Sequence, residues 1–122
     1  MPNRRLVAKE LGSLLKVISN PDRILIVHAL AANGESDVND MAARVGISPT
    51  RTSQHLGMLR AFQLVSERSE GRRRVYSLAV DALPDWLMQG VDFVADRVGE
   101  VSAQRARDAK AAWLEGSNLP PE

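Results

Sequence analysis

Short and planar polar side chains follow Pro49 in a stretch whose leucines have helical spacing. With Leu56 and Leu59 placed inward, the outer face of this predicted helix carries or borders four hydrogen-bonding side chains: Thr50, Arg51, Ser53 and Gln54. Arginine forms paired hydrogen bonds with guanine and glutamine with adenine, while serine and threonine suit phosphates. The stretch therefore predicts a helix that contacts bases in a major groove. The same placement puts Thr52 and Gln63 on the inner side.

Two short stretches with strand character, residues 64–69 and 72–78, are separated by Glu70-Gly71. The second stretch begins with three consecutive arginines, Arg72 to Arg74. This pattern predicts a β-hairpin that turns at Gly71. Arginines at such a tip can reach the sugar-phosphate backbone beside the groove. They can also serve only to keep a strand edge soluble, but the polar helix immediately before them favours DNA contact.

Charge is divided unevenly along the 122-residue chain, although its formal net charge is +1. Residues 48–78 contain six arginines and two glutamates, a net charge of +4. Residues 81–101 contain five acidic residues and one arginine, a net charge of −4. A positive segment in a nearly neutral chain predicts a polyanionic partner for that segment.

The length fits one domain, which we place at residues 1–115, followed by a disordered tail at residues 116–122. The apolar runs are too short to span a bilayer, and the first nine residues lack an apolar signal core, so we expect a cytoplasmic protein. The sequence contains no cysteine, which excludes disulfides and thiolate metal sites.

Two helices are predicted before residue 33. The first runs from Pro2 to Ile18 and is amphipathic. Asn20-Pro21-Asp22 is a strong start signal for the second, because asparagine accepts from free amide groups and proline fits the first helical position. The second helix is expected to end near Ala32, before Asn33-Gly34.

A pair of shorter helices follows. Ser36 or Asp37 can cap a third helix at residues 38–45, which Gly46 ends, and Ser48 starts the fourth. Two short helices joined by about three residues that include glycine are typical of a helix-turn-helix.

Apolar residues recur at spacings of three and four on the first helix and again after residue 82. Residues 102–115 are predicted to form a further helix that contains Trp113. The apolar stripes can belong to the core, but a small chain with apolar faces on both terminal helices can also hide them by two-fold pairing. We predict a homodimer whose interface contains seven of these residues: Leu6, Leu11, Leu14, Leu87, Val91, Val94 and Val98.

Five segments together resemble the ArsR/SmtB family of winged helix-turn-helix repressors, over roughly residues 10–100. They are N-P-D-R-I-L-I (20–26), S-P-T-R-T-S-Q-H-L (48–56), L-R (59–60), L-V (64–65) and E-G-R-R-R-V-Y-S-L (70–78). The resemblance implies a mainly α fold of five or six helices with a small β-hairpin, the two-stranded wing. It also implies a dimeric, operator-binding regulator in which the first and last helices form the interface and a ligand, often a metal, alters DNA affinity.

Carried over residue by residue, the family's DNA contacts fall on the fourth helix and the wing. They are Ser48, Thr50, Arg51, Ser53, Gln54, His55, Arg72, Arg73 and Arg74. Together with this resemblance, the residues lead us to expect a homodimeric repressor that binds double-stranded DNA at a palindromic operator and is not an enzyme. The alternative is a winged helix that binds an acidic protein partner without specific DNA recognition.

The chain departs from the family at several positions. Many metal-sensing members carry a cysteine pair where this chain has Asp37 and Asn39, and residues 81–101 contain no histidine for the metal site of other members. We expect no metal and no cofactor, and an effector that is a small organic molecule, a protein or absent. Phe62-Gln63 replaces the common Ala-Gly, and Thr52 replaces a usual valine.

Some residues have a structural interpretation beside a chemical one. His28 fits a core or hydrogen-bonding histidine better than a sensor, and His55 can contact phosphate or position its helix. Asp92, Asp96 and Glu100 form one row that can bind a hard cation but fits a solvated acidic face better. No nucleophile, phosphate loop or oriented histidine accompanies the row, so we do not expect catalysis.

Overall fold

The computed structural model describes residues 3–98 and 103–118. Within these ranges the chain forms six helices and one three-stranded sheet. In chain order they are α1 (Arg4–Ile18), α2 (Pro21–Asn33), β1 (Ser36–Asp37), α3 (Val38–Val45), α4 (Pro49–Ala61), β2 (Val65–Glu70), β3 (Arg73–Leu78), α5 (Leu83–Val98) and α6 (Ala103–Asn118). No helix in the described ranges is long and apolar enough to cross a membrane.

Side-chain caps set the starts of the first two helices. The Asn3 side chain accepts a hydrogen bond from the Leu6 N–H at 2.8 Å, so α1 begins at Arg4. The predicted start at Pro2 lies outside the described residues. Asn20 accepts from the Asp22 N–H at 2.9 Å and Pro21 is the first residue of α2, which confirms the predicted start signal.

The two helices of the helix-turn-helix are α3 and α4. Asp37, rather than Ser36, caps α3 by accepting from the Asp40 N–H at 2.8 Å. Gly46 ends α3 in the left-handed conformation, with φ of 85°. Ser48 Oγ then accepts from the Arg51 N–H at 3.1 Å and caps α4. The predicted turn of Gly46, Ile47 and Ser48 is confirmed.

The end of α4 differs from the prediction. Gln63 is exposed and lies beyond the helix, so its placement on the inner side was wrong. The helix stops at Ala61, and Gln63 takes the left-handed conformation with φ of 60°, which glycine takes more easily. The Leu64 N–H then donates to the Leu59 carbonyl at 3.0 Å, and this bond turns Leu64 into the core. Thr52 is fully buried, as predicted.

The wing is a sheet with strand order β1-β3-β2, all antiparallel. The predicted hairpin is confirmed, since Glu70 pairs with Arg73 around a turn that contains Gly71. The third strand, β1, was not predicted, because two residues are too few to show an alternating pattern. It pairs Ser36 with Tyr76 and thereby ties the start of α3 to the wing.

The core lies where α2, α3 and α4 meet. Its largest fully buried side chains include Ile26, Val27, Met41, Leu56 and Leu59. Burying an aliphatic side chain of this size contributes about 1.5–3 kcal/mol. Leu56 and Leu59 therefore fix α4 by one face and leave the opposite face in solvent.

The C-terminal part of the fold consists of α5 and α6, which pack on each other and on α2. The last helix continues to Asn118, three residues beyond the predicted helix end at residue 115. Residues 119–122 of the predicted tail lie outside the described residues.

Candidate nucleic-acid interface

The outward side of α4 is polar along its first half. We call Thr50, Arg51, Ser53 and Gln54 the reading face, and all four residues are exposed. Buried Thr52 lies among them and donates from Oγ1 to the Ser48 carbonyl at 2.9 Å. The cap and the buried leucines therefore hold the helix, while the side chains of the reading face are left to solvent.

His55 is partly buried and is held by contacts with α2. Arg23 Nε donates to His55 Nδ1 at 3.2 Å, and His55 Nε2 lies 3.6 Å from Asp22 Oδ2. Arg23 also donates to the Val17 carbonyl at 2.9 Å. This chain of contacts connects the end of α1, the start of α2 and the middle of α4. Of the two interpretations of His55, the geometry favours positioning of the helix.

Asp22 and Arg23 were missed as residues that support the interface. Both belong to the 20–26 segment, which we interpreted only as a helix start and a family motif. Their partner is 32 residues away in sequence from Arg23. A charged pair at the start of a helix gives no sign of a distant histidine.

We call Arg72, Arg73 and Arg74 the basic hairpin. All three are exposed, but two of them have acidic partners. Arg73 Nε donates to Asp37 Oδ2 at 2.8 Å, and Arg74 donates to Glu67 Oε1 at 2.9 Å. Arg72 lies in the turn and makes no ion pair with the described residues.

Further ion pairs surround the hairpin. Glu67 also lies 3.3 Å from an Arg60 nitrogen, and Arg68 pairs with Glu35 at 2.6 Å and with Glu70 at 2.7 Å. Glu35 precedes the segment that we counted as positive but lies against it, as does the Asp37 carboxylate. Adding these two acids lowers the net charge of the segment from +4 to +2.

The ion pairs affect the acid–base behaviour of the carboxylates. The pKa of Asp37 is lowered first by the hydrogen bond from the Asp40 N–H and then by Arg73. The pKa of Glu35 is lowered by its hydrogen bond with Arg68. Asp37 occupies one of the positions where many family members carry a metal-binding cysteine. Here its carboxylate caps a helix and holds an arginine of the wing.

The acidic row on α5 is partly compensated. Asp92 pairs with Lys110 on α6 at 2.7 Å, and this contact raises the pKa of Lys110. Asp96 is exposed, and Glu100 lies outside the described residues. In residues 3–98 and 103–118, no group of three histidine or acidic side chains could hold a metal ion.

The predicted dimer residues divide into two groups. Leu14 and Leu87 pack against the core of their own chain, and Val91 is half-buried. Exposed members are Leu6, Leu11 and Val94, with Val94 57% exposed. The side chain of Val98 lies outside the description. Two exposed residues that we did not predict, Val7 and Phe93, extend the apolar surfaces of α1 and α5.

Comparison with known proteins supplies the family. The sequence model described as "Bacterial regulatory protein, arsR family" matches residues 20–67, from the Asn20 cap into β2. An arsenical resistance operon repressor from Staphylococcus xylosus is 33% identical over 86 residues, which cover 70% of this chain and 81% of the relative. This chain belongs to the ArsR family. Its members are transcription regulators that bind DNA through a winged helix-turn-helix.

Further relatives of this ArsR-family chain agree in sequence and in fold. The nodulation protein NolR of Rhizobium meliloti is 37% identical over 82 residues, 67% of this chain and 66% of the relative. A winged helix-turn-helix DNA-binding domain from Mycobacterium bovis, described as homodimeric, superposes with a TM-score of 0.64 at 28% identity. The superposition covers 82% of this chain and 93% of that domain.

Proposed function

We propose that the protein is a homodimeric repressor that binds a palindromic operator in double-stranded DNA. The observation that carries this proposal is the reading face: four exposed hydrogen-bonding residues on a helix that is fixed by a cap and a buried opposite face. A helix held in this way can enter a major groove without rearranging the core.

Different residues of the reading face would contact different parts of the DNA. Arg51 and Gln54 have the planar groups that pair with guanine and adenine, so we assign base recognition to them. Thr50 and Ser53 fit phosphate contacts, which set the register of the helix on the duplex. The Ser48 hydroxyl is engaged as the cap of α4 but can still donate its proton to a phosphate.

The basic hairpin would then hold the backbone beside the groove. Arg72 is free of ion pairs with the described residues, so it can contact a phosphate directly. Arg73 and Arg74 must exchange Asp37 and Glu67 for phosphate oxygens. This exchange replaces one ion pair with another, and its net gain is smaller than that of an unpaired arginine.

Pairing of two chains follows from the apolar surfaces of the outer helices. Leu6, Val7 and Leu11 on α1 and Phe93 and Val94 on α5 are each at least 46% exposed. Exposed apolar surface of this kind is removed from water when two copies pair around a two-fold axis. The two reading faces would then enter successive major grooves about 34–36 Å apart.

The signal that controls the repressor is not a thiol-bound metal, because the chain has no cysteine. At the position of Asp37, where many family members carry a cysteine, the carboxylate instead accepts hydrogen bonds from the Asp40 N–H and from Arg73. The alternatives are a small organic molecule, a protein partner or no effector at all.

Fluorescence anisotropy tests the proposal directly. The full chain is titrated against the DNA upstream of its own gene and against a shuffled fragment of equal composition, at about 150 mM salt. We expect tighter binding to the upstream fragment and a dimer in sedimentation equilibrium. Equal binding to both fragments would reject specific recognition, and binding of an acidic protein instead would support the interaction-module alternative.

A further inference from the structure

Three buried side-chain nitrogen atoms lack a hydrogen-bond partner among the described residues, and all three belong to residues that line one cavity. They are His28 Nε2 on α2, Arg44 Nε on α3 and Trp113 Nε1 on α6. Leaving a buried polar atom unsatisfied costs about 1–3 kcal/mol, and such atoms are uncommon in folded proteins. Because all three residues line the same cavity, we take one bound molecule that accepts hydrogen bonds as their common partner.

The cavity has the size and lining of a small-molecule site. Its volume is about 470 Å³, within the range of roughly 300–1,000 Å³ that is usual for ligand sites. The rings of His28 and Trp113 form one wall, with centroids 4.6 Å apart and planes tilted by 55°. Much of the remaining lining is aliphatic: Leu25, Ala29, Val45, Ala109 and Ala112.

The unsatisfied atoms specify what a ligand must offer. The indole N–H of Trp113 and the Nε–H of Arg44 can only donate, and the arginine carries a permanent positive charge. Burial lowers the pKa of His28, which favours the neutral ring, and the neutral ring can also donate from Nε2. A negatively charged acceptor satisfies all three groups, and the aliphatic lining requires that the rest of the molecule be apolar.

We propose that this cavity binds a small organic acid with an apolar body. Arg44, His28 and Trp113 donate to the carboxylate, and the apolar body packs against the aliphatic lining. Arg44 is two residues before Gly46, which begins the turn into α4. The acid therefore fixes α3 against α2 and α6 and alters how α4 is presented to DNA. This regulatory role rests on the proposed function, whereas the binding site itself does not.

Calorimetry of the full-length chain without DNA tests the site. The probes are 4-phenylbutyrate, 2-naphthoate and octanoate, each compared with its uncharged amide. At least one acid should bind about ten-fold more tightly than its amide, because the acid alone provides a charge-assisted hydrogen bond. If none of the acids binds, or if every acid binds only as well as its amide, the site is rejected.

Substitutions test whether the preference for an acid over its amide arises in this cavity. Arg44→Met keeps an unbranched side chain out to the position of Nε, removes the charge and the donors, and should abolish the preference for the acid. Arg97→Met is the matched control, since Arg97 lies on α5 outside this cavity and should leave the preference intact. An unchanged preference in Arg44→Met would overturn the assignment. If that variant does not fold, Trp113→Phe removes one donor but keeps a ring, and unaltered acid binding in this variant would also overturn it.

Repeating the DNA titration with saturating acid separates the two proposals. We expect DNA affinity to change by about five-fold or more, the lower range of allosteric coupling. Acid binding with unaltered DNA affinity would remove the regulatory role and leave the site. Acid binding by a chain that does not recognise its upstream DNA would reject the proposed function and leave the site standing.

Discussion

The reading face and the basic hairpin are adjacent surfaces whose side chains are held in different ways. The helix that carries the reading face is anchored by Leu56 and Leu59, which are fully buried beneath it, and the four polar side chains are exposed. In the hairpin, Arg73 and Arg74 already have carboxylate partners within 3 Å. In the proposed complex, the first surface can contact DNA without breaking ion pairs, whereas Arg73 and Arg74 on the second must exchange partners. We therefore expect the reading face to determine sequence preference and the hairpin to supply general affinity.

Among these predictions, we expect the largest effect from replacing a buried residue that anchors the helix of the reading face, and the effect is on the free energy of unfolding. Leu59→Ala leaves a cavity beneath α4 and should lower the free energy of unfolding by about 2–5 kcal/mol. Met58→Ala is the control, because Met58 is next to Leu59 but 41% exposed. Urea denaturation followed by circular dichroism measures both variants. Similar losses in the two would mean that α4 is not fixed by its buried face.

Base recognition is tested by Gln54→Ala. Removing the paired hydrogen bonds with adenine should relax the preference at one base position by about 1–3 kcal/mol. Affinities for a set of single-base operator variants measure this, with Gln89→Ala on α5 as the control for removal of a glutamine elsewhere. An unchanged preference would remove Gln54 from the reading face.

Backbone contact is tested by changing Arg72 and Arg73 to alanine, together and separately. The double variant should bind all sequences more weakly, and the slope of log affinity against log salt should become shallower by about 0.9 for each phosphate that the variant no longer neutralises. Arg72→Ala should have the larger single effect, because Arg73 is partly neutralised by Asp37. Equal slopes in the double variant and the parent would exclude phosphate binding by the hairpin.

The smallest expected effect concerns the ion pair between Asp37 and Arg73, which tests whether acidic partners limit DNA binding by the basic hairpin. Asp37→Asn retains an oxygen that can cap α3 but loses the charge that holds Arg73, so affinity for every DNA sequence should rise modestly. The pKa of Asp37 is lowered in the folded protein. Its ionised form therefore stabilises the fold above the unfolded pKa, and this contribution is lost as the pH falls through the folded pKa.

Urea titrations at neutral and acidic pH measure that contribution. The difference in unfolding free energy between the parent and Asp37→Asn should shrink as the pH falls through the folded pKa. A difference independent of pH would show that ionisation of Asp37 does not stabilise the fold.

The parts of this fold that could be predicted are those encoded locally. Asn20-Pro21, Gly46 and Ser48 act on the backbone within four residues, so the sequence showed where α2 starts, α3 ends and α4 starts. The outer face of α4 followed from helical periodicity. The hairpin followed from Gly71 and the strand-like pattern on either side of it.

The features that escaped prediction depend on residues far apart in sequence. Glu35 is 33 residues from Arg68, and Asp37 is 36 residues from Arg73, so the charge count of the segment missed both. The cavity brings together His28 and Trp113 from opposite parts of the chain. Local sequence patterns do not predict contacts between residues that are distant in sequence, because these contacts form only when the whole fold packs.

The ratio of affinities for the upstream and shuffled fragments tests the central claim most directly. It should be measured for the parent, for Gln54→Ala and for the double variant of Arg72 and Arg73, under the same salt conditions. We predict that the hairpin variant weakens binding to both fragments and keeps the ratio, while Gln54→Ala lowers the ratio. A parent chain that does not distinguish the fragments, or a hairpin variant that lowers the ratio more than Gln54→Ala does, would contradict the account.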